Sequence, residues 1–328
     1  MKSPLLYIHQ LDIGYQRGKN RFVVQSGLNL NLNGGELICL IGPNGVGKST
    51  LLKTLGRILP PVDGEIAIDG VALHDLSYNE FSKKLGLVLT EQADIPHIKA
   101  ADIISMGRYP YTGFLGKLTK VDWQIVQEVA KVVGLQDLLQ RPYAELSDGE
   151  KQKVMIAKAL AQKTPLMLLD EPTAFLDFPT KASLLIMLRK LAREQNIGVI
   201  LSTHDIELAL KTADQLWLFP KHNEMISGCP EDLVLQGDIQ RVFQNSDINF
   251  NISSGHFEKV FHSDRKVNVR GEGSSAYWLK KALIRNEIQL DDQSEWLVDC
   301  VEKFTIYHEQ DFVAEVDRIQ DVLALLKV

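Results

Sequence analysis

A phosphate-binding loop is the clearest chemical pattern in this sequence. Residues 42–50 read Gly-Pro-Asn-Gly-Val-Gly-Lys-Ser-Thr and fit the spacing G-x-x-x-x-G-K-[ST]. The backbone N–H groups of such a loop wrap a phosphate chain, which only residues without bulky side chains allow. We expect Lys48 to reach the terminal phosphates and the Ser49 hydroxyl to hold Mg²⁺. An apolar run before the loop and a predicted helix after it favour this function over a chance match.

Two adjacent carboxylates form the second pattern. Asp170 and Glu171 directly follow the apolar run Leu166–Leu169. An acid at the carboxyl end of a central strand can hold the water shell of Mg²⁺, which is the role predicted for Asp170. Glu171 would accept hydrogen bonds from an attacking water as a general base or orienting group. The alternative is a solvated charge pair at the end of a strand, and the phosphate loop upstream favours the catalytic interpretation.

Two other polar side chains follow predicted strands. His204 comes after Leu201-Ser-Thr203, and Gln92 stands just past the apolar run at 85–89. A lone histidine is more often structural, but ligands bind at the carboxyl ends of parallel strands, which favours a functional His204. The Gln92 amide can donate to or accept from water, Mg²⁺ or phosphate.

The segment Leu146-Ser-Asp-Gly-Glu150 begins a predicted helix. Ser147 and Glu150 have the spacing of a capping box. A capped helix start with Ser147 and Gly149 also offers free N–H groups to an anion. Tyr15, near the end of the first predicted strand, either stacks on a purine or fills a strand position. The residues alone leave both roles of Tyr15 open.

Alternating strands and helices position these residues. Short apolar runs suited to buried parallel strands lie at 36–41, 85–89, 166–169, 197–201 and 215–219, and helices are predicted for 49–58, 182–192 and 205–213. This rhythm predicts an α/β fold, with a mostly parallel sheet and helices on both faces. Strands at 5–14 and 27–33 predict an antiparallel β layer before the nucleotide loop, and 65–68 is predicted as a further short strand. Helical periodicity from 93 to 162 predicts an inserted helical subdomain, with residues 121, 125, 129, 132 and 133 on one apolar face.

A break in composition near 245–255 separates a small tail. We expect residues 251–328 to form an accessory α+β domain. Its predicted elements are a hairpin over 257–262 and 266–269, a helix over 276–284, strands over 296–300 and 304–308, and a final amphipathic helix over 312–326.

Bulk composition excludes several classes of protein. The chain has 328 residues, with 45% hydrophobic and 24% charged, so it can bury a sizeable core. A net charge of -6 argues against nucleic-acid binding as the main function. Three widely spaced cysteines without a C-x-x-C pattern favour a reducing compartment. No signal peptide is visible, and no apolar stretch approaches the ~20 residues of a membrane span, so we expect membrane association only through a partner or a surface contact.

The order and spacing of these motifs over residues 3–248 resemble the ATP-binding-cassette (ABC) ATPases, a P-loop NTPase family. The resemblance implies that Gln92 senses the γ-phosphate, that Ser147 and Gly149 belong to the signature motif, and that Asp177 lies in the loop that crosses the dimer. It makes Asp170 the acid that holds Mg²⁺, Glu171 the catalytic base and His204 the switch histidine. The ATP-binding residues that it implies are Tyr15, Asn44, Gly45, Val46, Gly47, Lys48, Ser49 and Thr50.

The resemblance also implies a mechanism and a setting. Two copies would close head to tail around ATP, with the loop of one copy facing Ser147 of the other. Met106–Tyr111 is similar to the segment found in importers of iron–siderophore, haem and cobalamin. There it borders the groove that receives the permease, with bracing of the subdomain as the alternative role of Arg108 and Tyr109. The expected location is therefore the cytoplasmic face of the inner membrane, with a substrate-binding protein as an indirect partner and no nucleic acid.

The signature segment differs from the common family sequence at two positions. Asp148 and Glu150 replace a glycine and a glutamine of the common signature, and we expect both carboxylates to face outward. A soluble ABC protein that acts on ribosomes or DNA is a second hypothesis, which the single nucleotide loop and the acidic balance disfavour. A third is an ATPase regulated by a ligand of the tail.

Overall fold

Two compact units, residues 1–243 and residues 244–328, make up the chain. The computed structural model describes residues 3–18, 20–89, 98–113, 115–174, 176–221, 224–243, 248–252, 254–259 and 263–326. In the first unit the elements are β1 (Leu6–Arg17), β2 (Asn20–Leu32), β3 (Leu37–Ile41), α1 (Lys48–Leu55), β4 (Asp63–Ile68), β5 (Val71–Ala72), α2 (Tyr78–Lys84), β6 (Leu85–Val88), α3 (Ala100–Ser105), α4 (Lys120–Val132), α5 (Asp148–Ala161), β7 (Leu166–Leu169), α6 (Phe178–Gln195), β8 (Gly198–Ser202), α7 (Ile206–Thr212), β9 (Gln215–Leu218), β10 (Ile226–Gly228), α8 (Pro230–Leu235) and α9 (Asp238–Phe243). Short 3₁₀ helices lie at Met106–Tyr111, Gln136–Leu138 and Tyr143–Glu145.

A six-stranded sheet carries the site. Its strand order is β10-β9-β3-β8-β7-β6, parallel from β9 to β6, with β10 antiparallel at one edge. Every residue of β3, β7 and β8 is buried, which explains their continuous apolar sequences. Because these strands are parallel, the segments that follow them meet at one edge of the sheet. The predicted α/β fold is confirmed.

A second sheet, in the order β2-β1-β4-β5, is antiparallel. The pairing of β1 with β2 changes register after Ile8, Leu11 and Ile13. At Gly14 the two backbones are so close that an added Cβ would lie 2.0 Å from the carbonyl oxygen of Phe22. Only glycine therefore fits this point of the sheet.

Helices α3, α4 and α5 fall between β6 and β7. Inside this region Nε of Arg108 lies 2.9 Å from Oδ1 of Asp122, and a second guanidinium nitrogen donates to the carbonyl of Ala161 at 2.8 Å. Arg108 is buried, so its geometry supports the bracing role considered for it, while Tyr109 is exposed. Because Asp122 is buried in this pair, the buried face of α4 differs from the apolar face predicted for it.

On α4, Ile125 is buried as predicted, but Val121 and Val132 are 61% and 47% exposed. Asp122 points inward to pair with Arg108, and the buried face therefore also includes Val126 and Ala130.

The second unit has its own core. Its elements are β11 (Ile248–Asn251), β12 (His256–Lys259), β13 (Lys266–Arg270), α10 (Ser274–Arg285), β14 (Gln289–Leu290), β15 (Trp296–Cys300), β16 (Phe304–His308), β17 (Asp311–Val316) and α11 (Ile319–Leu326). β11 and β12 pair with each other, and the other five strands form one sheet in the order β14-β13-β15-β16-β17. Apolar side chains of this sheet pack with α10 and α11, among them Leu279, Val298 and Val322.

Two predictions for this unit are wrong. β12 pairs with β11 before it, whereas β13 pairs in parallel with β14 and β15, so 257–262 and 266–269 do not form a hairpin. The segment 312–326 is not one helix, since Asp311–Val316 is a strand paired with β16 and only Ile319–Leu326 is helical.

Candidate functional site

The phosphate loop joins β3 to α1. Gly47 precedes α1 with φ 111°, and an added Cβ there would lie 2.8 Å from Cγ1 of Val24. Glycine at this position therefore satisfies both the backbone conformation and the close approach of β2. The loop is also tied to β2 by the Gln25 amide, which donates to the carbonyl of Val46 at 3.1 Å. Asn44 is exposed at the rim of the loop.

The ammonium group of Lys48 is buried against its own loop. Nζ donates to the carbonyl oxygens of Gly42 at 2.7 Å and Pro43 at 3.0 Å. Burial lowers the pKa of Lys48, while the nearby charges of Glu171 and Asp170 act in the opposite direction. With two carbonyl partners and two carboxylates near it, this side chain is a cation held beside the loop that a phosphate chain would fill.

Asp170 connects three parts of the site. Its Oδ1 accepts from the Ser49 hydroxyl at 3.0 Å and from the Ser202 hydroxyl at 2.7 Å. A separation of 3.0 Å between the Ser49 and Asp170 oxygens suits two neighbouring ligands of Mg²⁺, which takes oxygens at ~2.0–2.1 Å in octahedral geometry. The donor set present therefore fits the predicted metal.

Glu171 and His204 form a second pair at the same edge of the sheet. Nε2 of His204 lies 2.5 Å from Oε1 of Glu171, and since a carboxylate only accepts, the imidazole donates. The backbone N–H of Glu171 donates to the Ser202 hydroxyl at 2.8 Å. Glu171 also has φ 49°, a conformation unusual for a residue other than glycine. Backbone of this kind persists where the surroundings impose it, and it is concentrated at functional sites.

An open pocket of about 530 Å³ brings most of the predicted residues together. The Tyr15 hydroxyl lies 3.1 Å from that of Thr50 at the base of the pocket. Tyr15 is 45% exposed, so it does not fill a core position, and its stacking on a base stays a prediction. The lining residues are Tyr15, Phe22, Val24, Asn44, Gly45, Gly47, Lys48, Ser49, Thr50, Glu171 and His204.

Three residues of this site were missed by the sequence analysis. Ser202 bridges Asp170 and the backbone of Glu171, and its place at the end of a buried strand was a signal that could have found it. Phe22 and Val24 line the pocket from β2. Their position depends on the register of β1 with β2, which periodicity does not reveal.

Other predicted residues lie elsewhere. Ser147 precedes α5 and Gly149 belongs to its first turn, and neither lines this pocket. Asp177 is the N-cap of α6 and accepts from the backbone N–H of Thr180 at 3.3 Å. Gln92 lies outside the described residues.

Glu150 stabilises the start of α5, the role that its spacing from Ser147 predicted. Its carboxylate turns back and accepts from the Ser147 backbone N–H at 2.8 Å and from the Ser147 hydroxyl at 2.9 Å. These bonds lower the pKa of Glu150, so the group is ionised at neutral pH. The capping-box prediction for Ser147 and Glu150 is confirmed. Asp148 is exposed, as expected.

Comparison with known families gives two matches along the chain. A family model described as ABC transporter matches residues 25–174. A second, described as the iron ABC transporter C-terminal domain, matches residues 264–327.

Curated relatives are similar to this chain over most of its length. An uncharacterised ABC transporter ATP-binding protein of Methanocaldococcus jannaschii is 41% identical over 284 residues, which are 86% of this chain and 97% of the relative. A petrobactin import ATP-binding protein of Bacillus anthracis is 32% identical, covering 76% of this chain and 90% of the relative. The ferric enterobactin transport ATP-binding protein of Escherichia coli is 31% identical, with 71% and 85% covered.

Solved structures of an ABC transporter and of an ATP-binding cassette are also similar to this chain. An inward-facing ABC transporter described as metal-chelate type superposes with a TM-score of 0.65 at 28% identity, covering 79% of this chain and 98% of the other. A dimeric ATP-binding cassette in a post-hydrolysis state with ADP and Pi has a TM-score of 0.61 at 27% identity, covering 69% and 98%.

Proposed function

Because this chain belongs to the family of ABC transporter ATP-binding proteins, we propose that it powers the import of a metal chelate through a membrane permease. The chain is an ATPase of this family. The iron–siderophore, haem and cobalamin class of substrate is our inference. The observation that carries it is the match of residues 264–327 to the iron ABC transporter C-terminal domain on the same chain as the ATPase.

The arrangement at the pocket supports a role for each polar residue in hydrolysis. Glu171 accepts a proton from the attacking water, and His204, 2.5 Å from its carboxylate, fixes the orientation of that group. Lys48 leaves its loop carbonyls to bind the terminal phosphates, where its charge offsets the charge that develops in the transition state. Ser202 holds Asp170 and the backbone of Glu171 in one arrangement.

Ser49 and Asp170 would hold Mg²⁺, with Gln92 as the third predicted ligand. When bound, the ion neutralises phosphate charge. The Ser49 hydroxyl and the Asp170 carboxylate already share a hydrogen bond of 3.0 Å, so little rearrangement of these two side chains is needed.

We infer that two copies of the chain close around ATP. In this arrangement Ser147 and Gly149 of one copy complete the site that Lys48 begins in the other, which accounts for their absence from the pocket within one chain. Residues 1–248 act as the ATPase domain and residues 251–328 as an accessory domain. The subunit attaches to permease subunits at the cytoplasmic face of the membrane, and a substrate-binding protein delivers the chelate to them.

Among the described residues no helix has the length and hydrophobicity needed to cross a bilayer.

The test of import is uptake of ⁵⁵Fe-labelled ferric siderophore, haemin or cyanocobalamin by cells that lack this chain. We expect the parent chain to restore uptake of one of these compounds. The Lys48→Ala variant, expressed at the same level as the parent chain, should not restore it. If the parent chain restores uptake of none of the compounds, or Lys48→Ala restores it equally, the proposed transport function is wrong.

The test of the catalytic assignment is Glu171→Gln. With ATP and Mg²⁺ we expect this variant to form a stable dimer and to hydrolyse ATP ~10²–10⁴ times more slowly than the parent, because the base is lost while the shape is kept. Size-exclusion chromatography and phosphate release measure the two effects. A variant that stays monomeric with ATP and turns over at the parent rate would contradict the roles given to Glu171 and the dimer.

A further inference from the structure

The aromatic end of the nucleotide pocket is built by β1 and β2 together. Tyr15 on β1 and Phe22 on β2 are direct partners in the antiparallel register. Side chains of directly opposite residues project from the same face of a sheet, with Cβ atoms ~4.5–5.5 Å apart. Both side chains line the pocket that contains Lys48. Two aromatic side chains, one from each strand, therefore line the pocket that contains the phosphate loop.

A β-bulge creates this pairing. Ile13 pairs with Gln25 but the next residue, Gly14, pairs with Val23, so β2 has one additional residue at this point. Bulges redirect the side chains that follow them. Had the register of Ile13 continued, Tyr15 would face Val23.

With the bulge, Phe22 takes the place opposite Tyr15 and shares its face of the sheet. The close contact of Gly14 with the Phe22 carbonyl holds this register, because no larger residue fits there. The position of Phe22 is thus fixed by backbone geometry and not by packing of its ring.

The side chain of Phe22 is largely exposed to solvent. It is 68% exposed, whereas Tyr15 is 45% exposed and has its hydroxyl fixed near Thr50. Phe22 has no polar atom, so it can act on a ligand only through contact with a flat or apolar surface. A purine base offers such a surface, and base–aromatic contact is favourable.

We propose that Phe22 is a second aromatic contact for the purine of the bound nucleotide, beside Tyr15. This inference rests on the proposed function, because it requires ATP in this pocket. Phe22 lies on the base side of the site, and Lys48 and Ser49 lie on the phosphate side. It therefore contributes to the affinity for the nucleoside part and leaves the recognition of phosphates to the loop.

The experiment compares ATP with inorganic tripolyphosphate, which carries the phosphates without a base. Dissociation constants are measured by isothermal titration calorimetry with Mg²⁺ on the full chain, its Phe22→Ala and Phe22→Trp variants and, as a control, Tyr78→Ala. Tyr78 is 80% exposed on α2 and does not line the pocket. We expect Phe22→Ala to weaken ATP binding about tenfold and to leave tripolyphosphate binding unchanged. Phe22→Trp and Tyr78→Ala should bind ATP within about twofold of the parent.

Three other results would contradict the inference or the proposed function. Unchanged ATP affinity in Phe22→Ala overturns the inference. An equal loss for ATP and tripolyphosphate also overturns it, because the substitution then acts on the loop. If the parent chain binds no ATP at all, the proposed function is wrong, and so is the inference about Phe22 that rests on it.

Discussion

At the scale of single residues, Glu150 is one of two positions at which the signature segment differs from the common family sequence. The side chain caps α5 through Ser147, the residue that the mechanism places against the terminal phosphate of the partner's nucleotide. A carboxylate bound to Ser147 therefore opposes the approach of a phosphate to the same hydroxyl. Glutamine would keep the cap, because a neutral amide oxygen also accepts from the N-cap N–H.

We predict that Glu150→Gln dimerises at an ATP concentration about threefold to tenfold lower than the parent, because one negative charge near the phosphate is removed. The measurement is the dimer fraction against ATP concentration, in the Glu171→Gln background to stop hydrolysis. Glu145→Gln is the matched control, since it removes an exposed carboxylate that caps nothing. Identical ATP dependence of Glu150→Gln and its background would show that the carboxylate moves away without cost.

Most site residues could be predicted because they follow buried parallel strands whose sequences are continuous and apolar. Asp170 and His204 were found in this way, and Lys48 was found from the spacing of the phosphate loop. Phe22 was missed because its place depends on a bulge opposite Gly14, which leaves no periodic signal. The capping role of Glu150 was predicted because the spacing of Ser147 and Glu150 is a purely local signal.

At the scale of elements, Arg108 in the 3₁₀ helix Met106–Tyr111 links α4 to α5, because it bonds to Asp122 of α4 and to the carbonyl of Ala161 in α5. Both side chains are buried, and Asp122 also caps α4 through Thr119. The bonds from Thr119 and the nearby Arg108 lower the pKa of Asp122 from 3.8 to about 2. Removal of the carboxylate leaves a buried guanidinium without its counter-ion, which is costly.

We predict that Asp122→Ala lowers the free energy of unfolding by roughly 3 kcal/mol, measured by urea denaturation at pH 7. Because the folded pKa lies below the unfolded one, the stability due to ionised Asp122 is complete above pH ~5 and decreases as the pH falls towards about 2. The difference between parent and variant should therefore shrink over this range. Asp137→Ala, a carboxylate outside any described ion pair, serves as the control. A difference that stays constant down to pH 3 would contradict the assigned pKa.

Two elements of the tail were predicted wrongly from local sequence patterns. In the tail, β13 pairs with strands that begin about twenty and thirty residues later, so its partners cannot be inferred from neighbouring sequence. Residues 311–316 carry apolar side chains at spacings compatible with either a helix or a strand, and pairing with β16 decides for the strand. The pairing of β13 was therefore missed because its partners are distant, whereas 311–316 was predicted wrongly although its partner β16 directly precedes it.

At the scale of the whole molecule, the nucleotide pocket lies entirely within the first unit. The second unit has a separate core built around Leu279, Val298 and Ile306. Two units with separate cores can fold independently.

We predict that a chain ending at residue 248 folds and hydrolyses ATP with a kcat within about threefold of the full chain, because every described lining residue of the pocket is retained. Circular dichroism checks folding, and phosphate release checks turnover. Lys48→Ala in the shortened chain gives the background rate. A folded but inactive shortened chain would mean that residues 249–328 are needed for catalysis and not only for an accessory role.

Lys48 must exchange its hydrogen-bond partners when a nucleotide binds. Its Nζ donates to the carbonyl oxygens of Gly42 and Pro43, which are neutral acceptors of the loop itself. A phosphate oxygen carries negative charge, and a hydrogen bond to an ionised acceptor is roughly twice as strong as one to a neutral acceptor. The exchange of partners is therefore a favourable part of nucleotide binding.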